Sequence, residues 1–238
     1  MLFALKRKAY LSMKKLVNRF PLLKKLNRAR RIKQGERERA AVVEKGLPTA
    51  VAAVDALEKC GFEPILTFGT LLGAIRDHNL INGDNDIDIG IIVNYGDNSV
   101  WQGVKSALEE AGFSIARQYS IQGNITEQAY SAEGFYFDVW GLCRQEGNDC
   151  LRAFYHCQID EGDYHSAHDR SIKYIDLPDF SLRKTVPVGD YELPVPVNAE
   201  EMVECVYGPN WRIPDPDFIS GTGWTLMEGV VETYQVFC

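Results

Sequence analysis

The stretch GTLLGAIRDHNLINGDNDIDIGI, Gly69 to Ile91, holds four aspartates, and three of them (Asp84, Asp86 and Asp88) stand two residues apart just before an isoleucine-rich run. Strand interiors are poor in Asp, and a carboxylate is almost never buried without a partner. The spacing therefore needs a chemical reason. In an extended strand, residues two apart share a face. Asp86 and Asp88 then project together, joined by Asp84 if the strand reaches back that far, while Ile87 and Ile89 enter the core. Carboxylates this close repel, and at least one keeps a proton unless a cation joins them. Oxygen-only ligands favour Mg2+ or Mn2+ over zinc.

A second acid-bearing strand would complete such a site, and FYFDVW, Phe135 to Trp140, is the candidate. Phe135, Phe137 and Val139 share one face; Tyr136, Asp138 and Trp140 share the other. One acid among aromatic residues suggests a ligand beside a platform for a flat group. Upstream, Gly69 and Thr70 lie between an expected strand, Glu63 to Phe68, and a short helix, Leu71 to Arg76. Glycine permits close backbone approach, and a helix N-terminus offers N–H groups to an anion. Thr70 can cap that helix or donate to a phosphate, and Arg76 and His78 add positive charge one turn onward. A solvated or calcium-binding loop would also be rich in Asp. The Gly-Thr turn before the acids and the acid strand after them favour a phosphate and metal site.

Outward from this centre, the sequence predicts a helix over Thr49 to Cys60, a strand over Asp86 to Val93, a helix over Asn98 to Ala111, and strands over Phe113 to Ser120 and Glu127 to Tyr130. Phe135 to Cys143 and Cys150 to Ile159 read as a hairpin across Gly147-Asn148-Asp149. Asn198 with Glu201 resembles a capping box for a helix reaching Tyr207. This alternation implies an α/β (α+β) domain.

The charge is unevenly divided. Of 26 Lys and Arg, 14 fall in the first 40 residues beside only Glu36 and Glu38, leaving 12 basic and 31 acidic residues for the remainder. Residues 1–45 read as a basic amphipathic helical arm and 46–238 as the catalytic domain. Met13, Leu16, Val17, Phe20 and Leu23 share a helical face, a pattern suited to the surface of an anionic membrane, with residues 1–40 as the contact, or to packing on its own domain or a protein partner. The acidic body argues against a nucleic-acid partner. No charge-free run approaches the roughly 18 residues of a membrane span, and the N-terminus lacks the apolar stretch of a secretory signal. With six cysteines, the expectation is free thiols and a cytoplasmic protein, peripheral on the inner membrane face. Cys143, Cys150 and Cys157, with His156, His165 and His168, suggest zinc only weakly, because short Cys-x-x-Cys pairs are missing. The sequence shows no Gly-x-Ser-x-Gly element and no Walker lysine.

The segments FGTLLGAIR, NGDNDIDIGI, FYFDVW and VPVNAEEMVECVYGPNW, in this order and spacing, resemble the LicD and fukutin type of nucleotidyltransferase-fold protein across roughly residues 60 to 215. Gly83 stands where that family often has an aromatic, and Asn85 where an acid commonly follows. The resemblance implies a nucleotidyltransferase-like mixed β-sheet flanked by helices, with Asp86, Asp88 and Asp138 as catalytic metal carboxylates, Asp138 sharing the metal or helping to position and deprotonate the attacking hydroxyl, and Asp84 in the same cluster. It implies transfer of a phosphorylated small group, phosphocholine or an alditol phosphate, from a CDP-linked donor to a glycan or lipid-linked glycan hydroxyl. Gly69, Thr70, Arg76, Tyr136 and Trp140 are then expected to contact substrate. The alternatives are a nucleotidyltransferase moving NMP from NTP to a small molecule or protein, and an inactive membrane-associated scaffold of the same fold.

Overall fold

A computed structural model of the chain describes residues 21–144, 150–158, 170–180, 182–215, 217–227 and 232–237. The apolar face expected at Met13, Leu16, Val17 and Phe20 lies outside the described residues, and the first described element is a long helix, α1 (Pro21–Lys59). The sequence breaks this region at Gly46 and starts a new helix at Thr49, yet the helix continues through Gly46, Leu47 and Pro48. Burial explains the continuity. From Val42 onward one face enters the core through Val42, Ala50, Ala53, Val54 and Leu57, and tertiary packing outweighs local breakers. Gly46 has a packing reason: a Cβ there would lie 2.6 Å from Leu80 Cδ1 and 3.4 Å from Ile87 Cδ1. Residues 28–33 of the same helix are exposed.

After α1 come a two-residue strand β1 (Ile65–Leu66), helix α2 (Phe68–Arg76), strand β2 (Asp86–Asn94) and helix α3 (Ser99–Glu110). The expected strand at Glu63 to Phe68 is thus shorter, and the helix begins at Phe68, so Gly69 and Thr70 occupy its first turn. Strands β3 (Ser114–Ile121), β4 (Asn124–Ser131), β5 (Tyr136–Arg144), β6 (Cys150–Gln158) and β7 (Arg170–Pro178) follow. A hairpin of β8 (Arg183–Val188) and β9 (Tyr191–Pro196) precedes helix α4 (Ala199–Tyr207), and β10 (Thr225–Met227) and β11 (Glu232–Val236) close the chain. The expected helix after Asn198 is present, although Asn198 reaches the Glu201 carboxylate at 3.2 Å and makes no side-chain bond to the helix backbone.

The main sheet runs β10-β7-β6-β5-β4-β3-β11, with β2 paired to β5 and β1 to β2. The fold is a mixed α/β sheet flanked by helices. The β2–β5 pair is parallel over nine residues, and the other described pairs are antiparallel. A parallel neighbour requires a crossover, here supplied by α3 and the β3–β4 hairpin. On its other edge β5 is shared: β4 pairs with Tyr136–Trp140 and β6 with Cys143 and Arg144. The turn expected between β5 and β6 lies outside the described residues. Ile87, Ile89, Phe137 and Val139 are fully buried on the helix side, which leaves the alternate residues of β2 and β5 on the opposite face.

Candidate active site

Parity and register put the acids together. Asp88 and Asp138 are direct partners across β2 and β5, and neighbouring strands run only about 4.8 Å apart. Asp84, Asp86, Asp88 and Asp138 all line one cavity of about 280 Å³. Asp88 is the most fixed of the four. Its backbone N–H donates to Thr70 Oγ1 at 2.8 Å, and its carbonyl accepts from the Thr67 N–H at 3.2 Å. Its carboxylate accepts from Trp140 Nε1 at 2.9 Å and from the Gly69 N–H. The helix-start amide expected at a phosphate is therefore engaged by Asp88. A Cβ on Gly69 would sit 2.9 Å from Asp84 Oδ2, so glycine at this position is what lets the acids approach the turn.

Burial and mutual repulsion set the charge state. Burial first, then Asp88, Asp138 and Asp84, push Asp86 up to about 9, and its side chain is hydrogen-bonded to Asp84. Burial raises Asp138 to about 6, against the opposing pull of Arg117. Burial also lifts Asp84, and it lifts Asp88 well above the usual carboxylate range. Metal-free, the cluster holds protons that free carboxylates would lose at neutral pH.

Among the described residues, no three His, Cys, Asp or Glu side chains stand placed to hold a metal ion. Asp88 faces the Trp140 indole, and Asp84 and Asp86 bond each other. The chemistry nevertheless fits a hard cation: the donors are all oxygens, they repel one another, and Asp138 Oδ1 is buried with no hydrogen-bond partner. For the weaker zinc alternative, Cys143 is a buried thiol pushed up to about 12 by that burial. The side chains of Cys157, His165 and His168 lie outside the described residues.

The other expected contacts divide. Gly69 and Trp140 line the cavity. Thr70 is 1% exposed and sits beneath the acids, its hydroxyl already accepting from Asp88. Arg76 makes a two-pronged pair with Asp77, at 2.9 and 2.7 Å. Tyr136 lies under the Arg117 guanidinium, 4.5 Å from its ring centre. The last three are not among the cavity-lining residues.

The structure adds groups that the sequence did not single out for this cavity, His156 having been weighed only for zinc. Phe68, at φ 45°, occupies a left-handed turn that costs roughly 1–3 kcal/mol. Its ring meets Trp140 at 4.7 Å and Trp224 at 5.5 Å, and Tyr155 meets Trp224 at 5.7 Å, building an aromatic wall. Tyr207, its hydroxyl raised by burial and then by the field of Asp88, Asp84 and Asp86, closes another side. Glu127 and His156 also face the cavity. Only strand order brings them there, and no local motif announces strand order.

A mixed sheet presenting paired acids beside a strand-to-helix turn defines a nucleotidyltransferase-like domain. Residues 61–198, more than half of the chain, match the family described as LicD/FKTN/FKRP, nucleotidyltransferase domain, and the chain belongs to that family. It is 26% identical over 185 residues to human ribitol 5-phosphate transferase FKRP, covering 74% of this chain and 34% of the relative. Against human ribitol-5-phosphate transferase FKTN it is 26% identical over 170 residues, covering 68% and 32%. The chain thus spans about a third of the length of these relatives.

Proposed function

We propose that this chain is a metal-dependent phosphotransferase that moves a phosphorylated small group, an alditol phosphate or phosphocholine, from a CDP-linked donor to a glycan hydroxyl in cell-surface glycoconjugate synthesis. The observation that carries the reading is the convergence of Asp86, Asp88 and Asp138 on one cavity from two paired strands. The names of the relatives, both ribitol-phosphate transferases, favour an alditol phosphate.

Asp86, Asp88 and Asp138 would hold Mg2+ or Mn2+, which when bound neutralises pyrophosphate charge and so favours departure of CMP. The chain's own residues do the rest. Trp140 orients Asp88 through its indole N–H, and Thr70 fixes the backbone from which Asp88 projects. Arg117 offsets charge at Asp138. Phe68, Trp140 and Trp224 offer flat faces for the donor's base. The aromatic wall and Tyr207 restrict water at the reacting phosphorus, which lowers competing hydrolysis.

The basic arm extends the reading. Arg28, Arg30, Arg31 and Lys33 are exposed on α1, and no described helix is long and apolar enough to cross a membrane. Surface attraction to anionic lipid on the cytoplasmic face would hold the enzyme near lipid-linked acceptors.

The test is CMP release from CDP-ribitol, CDP-glycerol and CDP-choline with Mg2+ and with chelator. Turnover that vanishes in chelator, and in Asp86→Ala and Asp88→Ala variants with unchanged folding, supports the reading. Equal turnover in chelator overturns it. Pyrophosphate released from an NTP would instead identify NMP transfer.

A further inference from the structure

We propose that Glu127 is the proton acceptor for the attacking hydroxyl, an inference that rests on the transferase reading above. The sheet face that carries the acids is ordered in rows. One row places Arg117, Ala129, Asp138 and Asp88 side by side across β3, β4, β5 and β2; the next places Tyr119, Glu127, Trp140 and Gly90. Glu127 therefore stands one row from Asp138, diagonally across adjacent strands. Diagonal positions lie about 7–8 Å apart. A nucleophile sits about 3–3.5 Å from the atom it attacks. A phosphorus held beside Asp138 thus leaves room for one hydroxyl oxygen between it and Glu127.

Glu127 is 5% exposed, yet it lines the cavity. A carboxylate placed there gives up hydration that an exposed position would keep. With Asp86, Asp88 and Asp138 assigned to the metal, the carboxylates that remain at the cavity among the described residues are Asp84 and Glu127, and Asp84 is already hydrogen-bonded to Asp86. An acid bound to a cation is a poor base, so the base has to come from outside that cluster. The strand is shaped at this point. Between Tyr119 and Ser120 the register of β3 against β4 slips, Tyr119 pairing with Glu127 and Ser120 with Ile125. Thr126 is left in the bulge, and its hydroxyl lies 3.1 Å from His156 Nε2, while the His156 ring stacks on Tyr119 at 4.8 Å. Bulges commonly re-aim side chains beside active sites; this one braces the wall around Glu127.

The step balances. The acceptor O–H gives its proton to the Glu127 carboxylate, and its oxygen forms a bond to the phosphorus that carries the small group. The bond from that phosphorus to the CMP oxygen breaks, CMP leaves with the electron pair, and Glu127 later releases the proton to water.

The experiment uses the full chain with Mg2+, the CDP-linked donor that wild type turns over, and two soluble acceptors. These are a methyl glycoside and its analogue bearing fluorine next to the accepting hydroxyl, which makes that hydroxyl more acidic. Glu127→Gln should lower kcat by about 100-fold or more with donor KM held within about 3-fold, and the deficit should shrink on the fluorinated acceptor. A kcat within about 3-fold of wild type, or an equal deficit on both acceptors, overturns the proposal. If the Gln variant fails to fold, Glu127→Asp decides by the same comparison of acceptors. Wild type releasing no CMP from any donor would overturn the transferase reading and this inference with it, whereas an active wild type beside an active Glu127→Gln overturns the inference alone.

Discussion

Asp88 holds contacts that a solvated loop acid would not have: a backbone fixed by Thr70, a carboxylate met by an indole N–H, and a second acid in register across the sheet. The consequence is a pH dependence of stability in the metal-free protein. Asp86 is raised from the ordinary 3.8 to about 9 and Asp138 from 3.8 to about 6. Well below pH 3.8 both are protonated whether folded or unfolded, so they contribute no pH dependence there. Between pH 4 and 9 the folded chain keeps protons that the unfolded chain loses, and stability falls as pH rises. The fall is steepest between pH 4 and 6, where both groups contribute, and ends near pH 9. Chemical denaturation of chelator-treated protein across this range should show that slope. Asp86→Asn should flatten it and raise the midpoint at pH 8, because one member of the repulsive set is gone. A midpoint that rises with pH would contradict the clustering. That Asp86 and Asp88 share a face was legible in the sequence because strand parity is local; Asp138 was picked out by the FYFDVW motif and the family resemblance, since its place beside them depends on the pairing of β5 with β2. The places of Glu127 and His156 at the cavity were not legible, because their approach depends on which strands are neighbours.

The short helix α2 and strand β2 act as one unit, tied by the hydrogen bond from the Asp88 N–H to Thr70 Oγ1. Both groups are buried, so loss of the hydroxyl leaves a donor without a partner, at a cost of about 1–3 kcal/mol. Thr70→Val should lower the melting temperature by several degrees and reduce turnover more than stability alone explains, since the backbone of Asp88 is released. Thr70→Ser keeps the oxygen and should remain near wild type in both. Thermal denaturation with a parallel CMP-release assay checks this, and an unchanged melting point for the valine variant would show that the bond does not fix the strand. The sequence located this turn but gave Thr70 a role toward phosphate, because a threonine at a helix start looks the same whether it faces a ligand or a neighbouring strand. Continuity of α1 through Pro48 was hidden for a related reason. Gly46 and Pro48 are local breakers, while the core face beginning at Val42 is a tertiary property.

Charge separates the molecule into two parts. The first 40 residues carry 14 basic and two acidic side chains, and the remainder carries 12 basic and 31 acidic. An anionic membrane attracts the first part and repels the second, so any binding has to orient the molecule arm-down with its acidic body held away. Each basic residue near such a surface contributes about 1 kcal/mol, and the attraction fades beyond a Debye length, about 8 Å at physiological salt. Val42 is the first core residue of α1, so removal of residues 1–40 leaves the described core intact. The full chain should sediment with phosphatidylserine-containing vesicles at low salt, detach as salt is raised, and ignore neutral vesicles. The chain lacking residues 1–40 should bind neither, while its metal-dependent CMP release with a soluble acceptor stays within about 3-fold of wild type. Retained binding after the deletion would move the membrane contact elsewhere on the molecule. Loss of soluble turnover would instead make the arm part of the catalytic body, because a purely electrostatic tether changes where the reaction happens and leaves the chemistry at Asp86, Asp88 and Asp138 untouched.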